Sequence, residues 1–267
     1  MKNGYTIAGD NVVAIRFSCL EEFNMVSGKN CHDKYEIIFS LSHLGLCNVE
    51  GSEYELTPRS ILLIPPLSFH NHSFFEKNIV EGYSVSFSDS VLCGRVLDML
   101  EKILSPDKIS GKFYPSHVVC DALSDIFRRF DDVQQLKGEE QSAFLETLVA
   151  ELVIFLSATE FKTISRNDQE LGSRVAKYLN ANIEKNISLD RLATRFFVSK
   201  YHLCRAFKKY SGVSVHSYIN HKRIIHAKML IESGQTASGA AECVGFGDYS
   251  AFYRAYVRIV GKAPTKE

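Results

Sequence analysis

Apolar residues over the first 90 positions fall in short runs. Val12–Phe17, Tyr35–Leu41 and Ser60–Ile64 are rich in Val, Ile, Leu and Phe, and turn-forming residues separate them: Ser27-Gly28-Lys29-Asn30, Glu50-Gly51-Ser52 and Pro65-Pro66. Such runs read as strands, and their close spacing suggests a sandwich or small barrel. From about residue 90 the period lengthens. Ser90–Leu104 reads as a helix that ends before Ser105-Pro106-Asp107. Pro115 can open another, in which Val119, Leu123, Ile126, Phe130 and Val133 recur at helical spacing, and Glu139–Ala158 repeats the pattern with Leu145, Leu148, Leu152 and Phe155. These seams suit either an internal core or a homodimer formed through helices about 115–158. Thr159–Glu170 is polar, and a linker is expected over 161–170. Everything after it reads as helix until the last few residues.

Two short units stand out in this last part. Ser188 can cap a helix whose Leu189, Leu192, Ala193 and Phe196 share a side. The run stops at Phe197-Val198, and Ser199 can cap a second helix, Lys200–Tyr210. Leu203, Ala206 and Phe207 point that helix inward, leaving Tyr201, Cys204, Arg205, Lys208 and Lys209 for the other side. Gly212 can end it in a left-handed conformation. A long helix is predicted from Val215 to about Ser233, with Val215, Tyr218, Ile219, Ile225, Met229 and Leu230 on its apolar side. Thr236 then caps a short helix ending at Gly245-Phe246, and Asp248 caps Tyr249–Ile259, which holds Arg254 and Arg258 before Gly261 and Pro264 stop it. A short capped helix, a tight turn and a basic second helix make a helix-turn-helix, here at about 188–210 and again at about 236–259. The long helix would span about 28 Å, close to the roughly 34 Å between successive major-groove faces. One chain can thus hold two readers on an asymmetric site. The first helix of the second unit carries Ala237, Gly239 and Ala240, so a looser unit is expected there.

Charge changes the picture only when divided. The 267 residues sum to zero, but Arg166–Glu267 holds 17 basic and 8 acidic side chains, and the preceding part is acidic by the same margin. A basic module joined to an acidic one points to nucleic acid. Seven scattered cysteines without a C-x-x-C pair argue against a disulfide framework or zinc knuckle and suit a reducing compartment. The N-terminus lacks the apolar core of a secretory signal, and no apolar run nears a membrane span, so a cytoplasmic protein is expected.

At this point a resemblance becomes specific. Ser199–Gly212 resembles the first recognition helix of AraC/XylS regulators. Tyr218-Ile219, Arg223-Ile224 and Ala227-Lys228-Met229-Leu230 resemble the family's connecting helix. Val244-Gly245-Phe246-Gly247-Asp248 with Phe252-Tyr253-Arg254, then Gly261-Lys262-Ala263-Pro264, resemble the second unit and its closing turn. The match runs from about Leu171 to the end. It implies base-facing positions at Tyr201, Cys204 and Arg205, and at Tyr249, Ser250, Tyr253 and Arg254. Arg205 and Arg254 suit bidentate bonds to guanine. Lys200, Lys208, Lys209 and Arg258 suit phosphates. The resemblance also implies promoter DNA and RNA polymerase as partners, and activation as the outcome.

The N-terminal part resembles the small cupin barrel of AraC-type sensor domains, on His32-Asp33-Lys34-Tyr35-Glu36, then Leu62-Leu63-Ile64-Pro65-Pro66 and His70. The fold expected is therefore α+β: residues 1–160 a cupin-like sensor and dimerisation domain (β part about 1–90, helices about 90–160), and 171–267 all-α. His32, Glu36, Phe39, His70 and His72 are candidates for an effector pocket. His32, Glu36 and His70 are also metal-ligand types, which keeps open a cupin-type metal-dependent enzyme with an accessory DNA-binding tail. Against it, Asn30 stands where such a cluster would begin, and glycines usual near 43, 59 and 67 are His43, Arg59 and Leu67. Phosphate-loop, nucleophile-elbow and zinc-protease motifs do not occur, so no catalytic residue, metal or cofactor is expected. A third reading has the basic helices binding an acidic protein partner.

Overall fold

A computed structural model describes residues 4–19, 31–73, 80–105, 110–161 and 170–265. The turn expected at Ser27–Asn30, the Pro106-Asp107 stop and most of the predicted linker lie outside the described residues. The chain forms two compact units, Met1–Asn30 with Lys34–Ser165, and Arg166–Glu267 with Cys31–Asp33.

Among the described residues the first unit has nine strands: β1 (Tyr5–Ala8), β2 (Val12–Phe17), β3 (Tyr35–Ser40), β4 (Gly45–Val49), β5 (Ser52–Leu56), β6 (Ile61–Ile64), β7 (His70–Ser73), β8 (Gly82–Phe87) and β9 (Lys112–Tyr114). They pair antiparallel in two sheets, of order β1-β2-β8-β3-β6-β9 and β5-β4-β7. The period of two along each strand decides what each face touches. Phe17, Ile38, Leu62 and Ile64 of the large sheet meet Cys47, Val49, Tyr54 and Leu56 of the small one. On the opposite face of the large sheet, Ile37, Phe39, Leu63 and Val85 join the helical layer. Phe39 stacks on Phe127 with ring centroids 4.5 Å apart. The layers are therefore small sheet, large sheet, helices.

That helical layer is α1 (Gly94–Leu104), α2 (Asp121–Arg129) and α3 (Gly138–Ala158). Pro115 does not open a helix. Lys112–Tyr114 pairs with β6, which keeps the chain extended up to the proline, and α2 begins only at Asp121. The seam Val119, Leu123, Ile126, Phe130 and Val133 is buried in this unit's own core together with Leu145, Leu148 and Leu152, while Phe155 is half-buried. The internal reading of the seam is thus the one realised. Helix α3 is long and apolar enough, by length and composition, to cross a membrane, contrary to the reading of its sequence. Here its Leu145, Leu148, Val149, Leu152, Val153 and Leu156 pack within the unit.

Two residues standing where glycine was expected, Arg59 and Leu67, hold φ of 64° and 60°. The left-handed turns persist without glycine, at a cost of roughly 1–2 kcal/mol each. Arg59 is held there by its own amide on Ser40 O (2.8 Å) and its guanidinium on Asp121 (2.7 Å).

The second unit contains α4 (Leu171–Asn180), α5 (Leu189–Arg195), α6 (Lys200–Ser211), α7 (Val215–Glu232), α8 (Ala237–Cys243) and α9 (Tyr249–Val260). Helix α4 packs on α6, and both α8 and α9 pack on α7. The long helix serves two cores. Its Tyr218 ring lies edge-on to Phe207 at 5.2 Å, whereas Ile224, Ala227 and Ile231 pack with Ala240, Val244, Phe252 and Tyr256. Met229, expected on the apolar side, is instead exposed.

Candidate nucleic-acid interface

Each helix of the two units starts on a side chain that its sequence predicts. Ser188 and Ser199 accept from the amides of Arg191 and His202, both at 3.2 Å. Thr236 accepts from Gly239 at 3.1 Å, and Asp248 from Ser250 at 3.1 Å and Ala251 at 2.9 Å. These bonds satisfy amides that a helix start leaves open. The second helices, α6 and α9, both end on a left-handed glycine, Gly212 and Gly261.

The caps fix where the helices begin, and burial then fixes which face they show. Leu203 and Phe207 are buried on α6, and Phe252, Ala255 and Tyr256 on α9. Tyr201, Arg205, Lys208 and Lys209 consequently face solvent, with Tyr201 77% exposed, and Cys204 is half-buried. On α9, Tyr249, Ser250, Tyr253, Arg254 and Arg258 are exposed, with the Tyr249 and Tyr253 rings 6.5 Å apart. Asn220, Arg223, Arg254 and Arg258 line a groove between α7 and α9. Lys200 ion-pairs with Asp190 at 2.8 Å, so a phosphate would have to displace that carboxylate. Leu189 departs from the inward side predicted for it and is 37% exposed.

The second unit is not loosely packed. Ala240 and Ala241 are buried, and the bulk that α8 lacks comes from Phe246, Phe252 and Tyr256. Small residues here let α8 approach α7 closely rather than leave space.

Two features were missed in the sequence. Phe197 is 94% exposed and holds φ of 55° in the first tight turn, a conformation costly for an aromatic residue. Arg223 is half-buried, and burial lowers its pKa. Its three nitrogens donate to the carbonyls of Ile183, Lys185 and Gly245. Lys222 and Lys228 are cations on the same helix, so nothing local in the sequence singled out Arg223.

The pocket candidates of the first unit are only partly gathered. Glu36, His70 and His72 lie on the inter-sheet side. Ser84 donates to Glu36 at 2.7 Å, His70 Nε2 is 3.5 Å from Glu36, and the His70 and His72 rings are 6.5 Å apart. Burial and then the neighbouring His70 push the His72 pKa down to about 4. Burial, with the charge of Glu36, raises the Cys47 thiol beside it. Phe39 is not among them. Three residues separate it from Glu36, so the strand turns it to the helical layer. His32 is brought to them: the ligand atoms of His32, Glu36 and His70, the three metal-ligand types of the sequence, all lie within 4.8 Å of one another. All seven cysteines are free thiols, and only Cys31 and Cys47 are buried.

Two capped helix-turn-helix units on one connecting helix, each turning cations and aromatics outward, have the layout of a DNA-binding domain. Residues 192–266 match a family described as "Helix-turn-helix domain". The chain thus carries a C-terminal helix-turn-helix domain, and the relatives it resembles along most of its length are named transcriptional regulators. It is 27% identical over 227 residues to the uncharacterized HTH-type transcriptional regulator YbfI of Bacillus subtilis, covering 82% of this chain and 78% of that one. It is 22% identical to the HTH-type transcriptional activator RhaS of Escherichia fergusonii, covering 87% and 84%. Against three other relatives it spans only 38, 47 and 51% of their length. Among solved structures, ToxT from Vibrio cholerae aligns over 98% of this chain and 94% of its own, at 15% identity and a TM-score of 0.39.

Proposed function

We propose that this regulator reads an asymmetric promoter site with both units at once and activates transcription from it by contacting RNA polymerase. The observation that carries this reading is the pair of exposed reading faces, on α6 and α9, attached to one connecting helix. Tyr201, Cys204 and Arg205 read one block of bases, and Tyr249, Ser250, Tyr253 and Arg254 the other. Arg205 and Arg254 pair bidentately with guanine O6 and N7, each supplying about 1–3 kcal/mol of discrimination. Lys200, Lys208, Lys209 and Arg258 hold phosphates and set the salt dependence. In this reading the N-terminal unit is a cupin-like sensor of a small effector, the protein acts in the cytoplasm, and it works as a homodimer. Because the α2–α3 seam is consumed by its own core, a dimer would use the outer faces of these helices, where Ile154 is exposed. Glu36 and His70 are the polar groups an effector would meet between the sheets. An effector acts only by binding two states of the regulator with different affinity.

The test is selection from random duplexes with the full chain, beside Arg205→Ala and Arg254→Ala. The expected result is two blocks about one helical turn apart, each variant relaxing one block. A single block, or variants that relax neither, would refute the two-reader function. The effector reading is checked separately, by whether His70→Ala changes promoter activity in cells without changing binding to the selected duplex.

A further inference from the structure

The connecting helix is not the only link between the two reading units. Arg223, midway along α7, donates from Nε to Ile183 O (2.7 Å), from one terminal nitrogen to Lys185 O (2.7 Å), and from the other to Gly245 O (2.8 Å). Ile183 and Lys185 lie in the segment between α4 and α5, which leads into the first helix-turn-helix. Gly245 lies in the tight turn of the second. The guanidinium also sits 5.7 Å from the Phe246 ring centroid. A second observation supports the same junction. Gly245 has φ of 86°, and a Cβ built there would meet Glu184 O at 2.0 Å. The turn of one unit is thus in backbone contact with the lead-in segment of the other.

We propose that Arg223, with the Gly245 contact, is a strut that fixes the separation and angle of α6 and α9, and so determines which spacing between the two DNA blocks is accepted. This rests on the two-reader function. A single helix joining two bodies leaves them free to bend and twist about it, since long helices flex gently. A second attachment off the helix axis removes that freedom. The N-terminal half of α7 is held to the first unit by Tyr218 and Lys222, which donate to Asn180 at 2.9 and 2.8 Å. Its C-terminal half is packed in the second core. Arg223 stands between and ties both units to each other directly. Guanidinium suits this task because its planar fork holds several acceptors in a fixed relation, which the single point charge of lysine does not. Arg223 is a positioning residue: it acts on base readout only through the placement of Arg205 and Arg254.

Spacing is the sensitive readout. One base pair moves a block by about 3.4 Å along the duplex and about 34° around it. The experiment measures binding of the full chain to duplexes carrying the two selected blocks at the native spacing, one base pair shorter and one longer, and to each block alone. Wild type is expected to lose about tenfold or more at either altered spacing. Arg223→Gln is expected to bind the native spacing less tightly, to vary less than about threefold across the three spacings, and to bind single blocks as wild type does. Arg223→Lys, which keeps the charge and one carbonyl contact, is expected to fall between them, and it decides the matter should the glutamine variant not fold. A spacing profile unchanged in both variants overturns the strut, as does an equal loss on single and double blocks. A wild type indifferent to spacing overturns the two-reader function and the strut with it.

Discussion

Phe197 and Gly245 occupy the same place in the two tight turns. The amide of each bonds the carbonyl three residues back, Thr194 at 3.2 Å and Glu242 at 3.0 Å, and each has a positive φ, 55° and 86°. The residue after each closes the turn in the same way, Val198 onto Ala193 and Phe246 onto Ala241. The fold therefore demands a left-handed residue at this position twice, and the chain supplies glycine once.

The cost at the first turn is predicted to be recoverable. Phe197 loses almost no burial on replacement because it is 94% exposed. Phe197→Asn, a residue that tolerates the left-handed region, should stabilise the compact unit Arg166–Glu267 by about 1 kcal/mol in urea denaturation. Gly245→Ala should destabilise it by more than that, since its methyl would run into Glu184 O as well as the wrong backbone region.

Asp248 caps α9 with two amide bonds at its start. Asp248→Ala is predicted to cost about 1–2 kcal/mol of stability. It should weaken binding to a two-block duplex while leaving the first block alone unaffected, as measured by fluorescence anisotropy. Equal weakening on both blocks would contradict the independence of the two caps.

Lys208 and Lys209 are exposed on the last turn of α6. Each lysine-to-alanine change is predicted to lower the slope of log affinity against log salt by about 1 and to leave the selected base motif intact. A changed motif would move these residues from backbone to base contact.

Tyr83 carries a pH signature of the first unit. Its hydroxyl donates to Asp131 at 3.1 Å and accepts from Arg16 at 2.8 Å. Burial, then the Asp131 charge, push its pKa up to about 12, with Arg16 opposing. A phenol raised in the folded state keeps its proton when the unfolded chain has lost it. This contribution is thus fully present below pH of about 10 and is lost as pH rises from about 10 toward about 12. Denaturation at about pH 9 and about pH 11 should show a fall in wild type that is smaller in Tyr83→Phe. In Asp131→Asn, tyrosinate absorbance should appear at lower pH.

The outlines of the second unit were legible because they rest on local chemistry. Ser188, Ser199, Thr236 and Asp248 bond amides two or three residues away, so a short window of sequence contains both partners. The strand β2 was read at its observed ends for the same reason. Sorting faces was harder where one element serves two neighbours. Met229 was placed with the apolar side of α7, yet that helix packs different residues against each unit. Phe39 was grouped with Glu36 by chemistry, although an odd separation on a strand sends them to opposite sides.

By itself the sequence determined the two capped helix pairs, the basic half and the class of ligand, since period, capping and charge are carried by neighbouring residues. Only the tertiary structure decided that Pro115 follows a paired strand, that the α2–α3 seam is internal, and that Arg59 and Leu67 take glycine-like turns. It alone brought Arg223 to Ile183, Lys185 and Gly245, which lie 40, 38 and 22 residues away along the chain. Contacts of that span depend on how completed elements pack, and no local pattern records which distant carbonyl a guanidinium will meet.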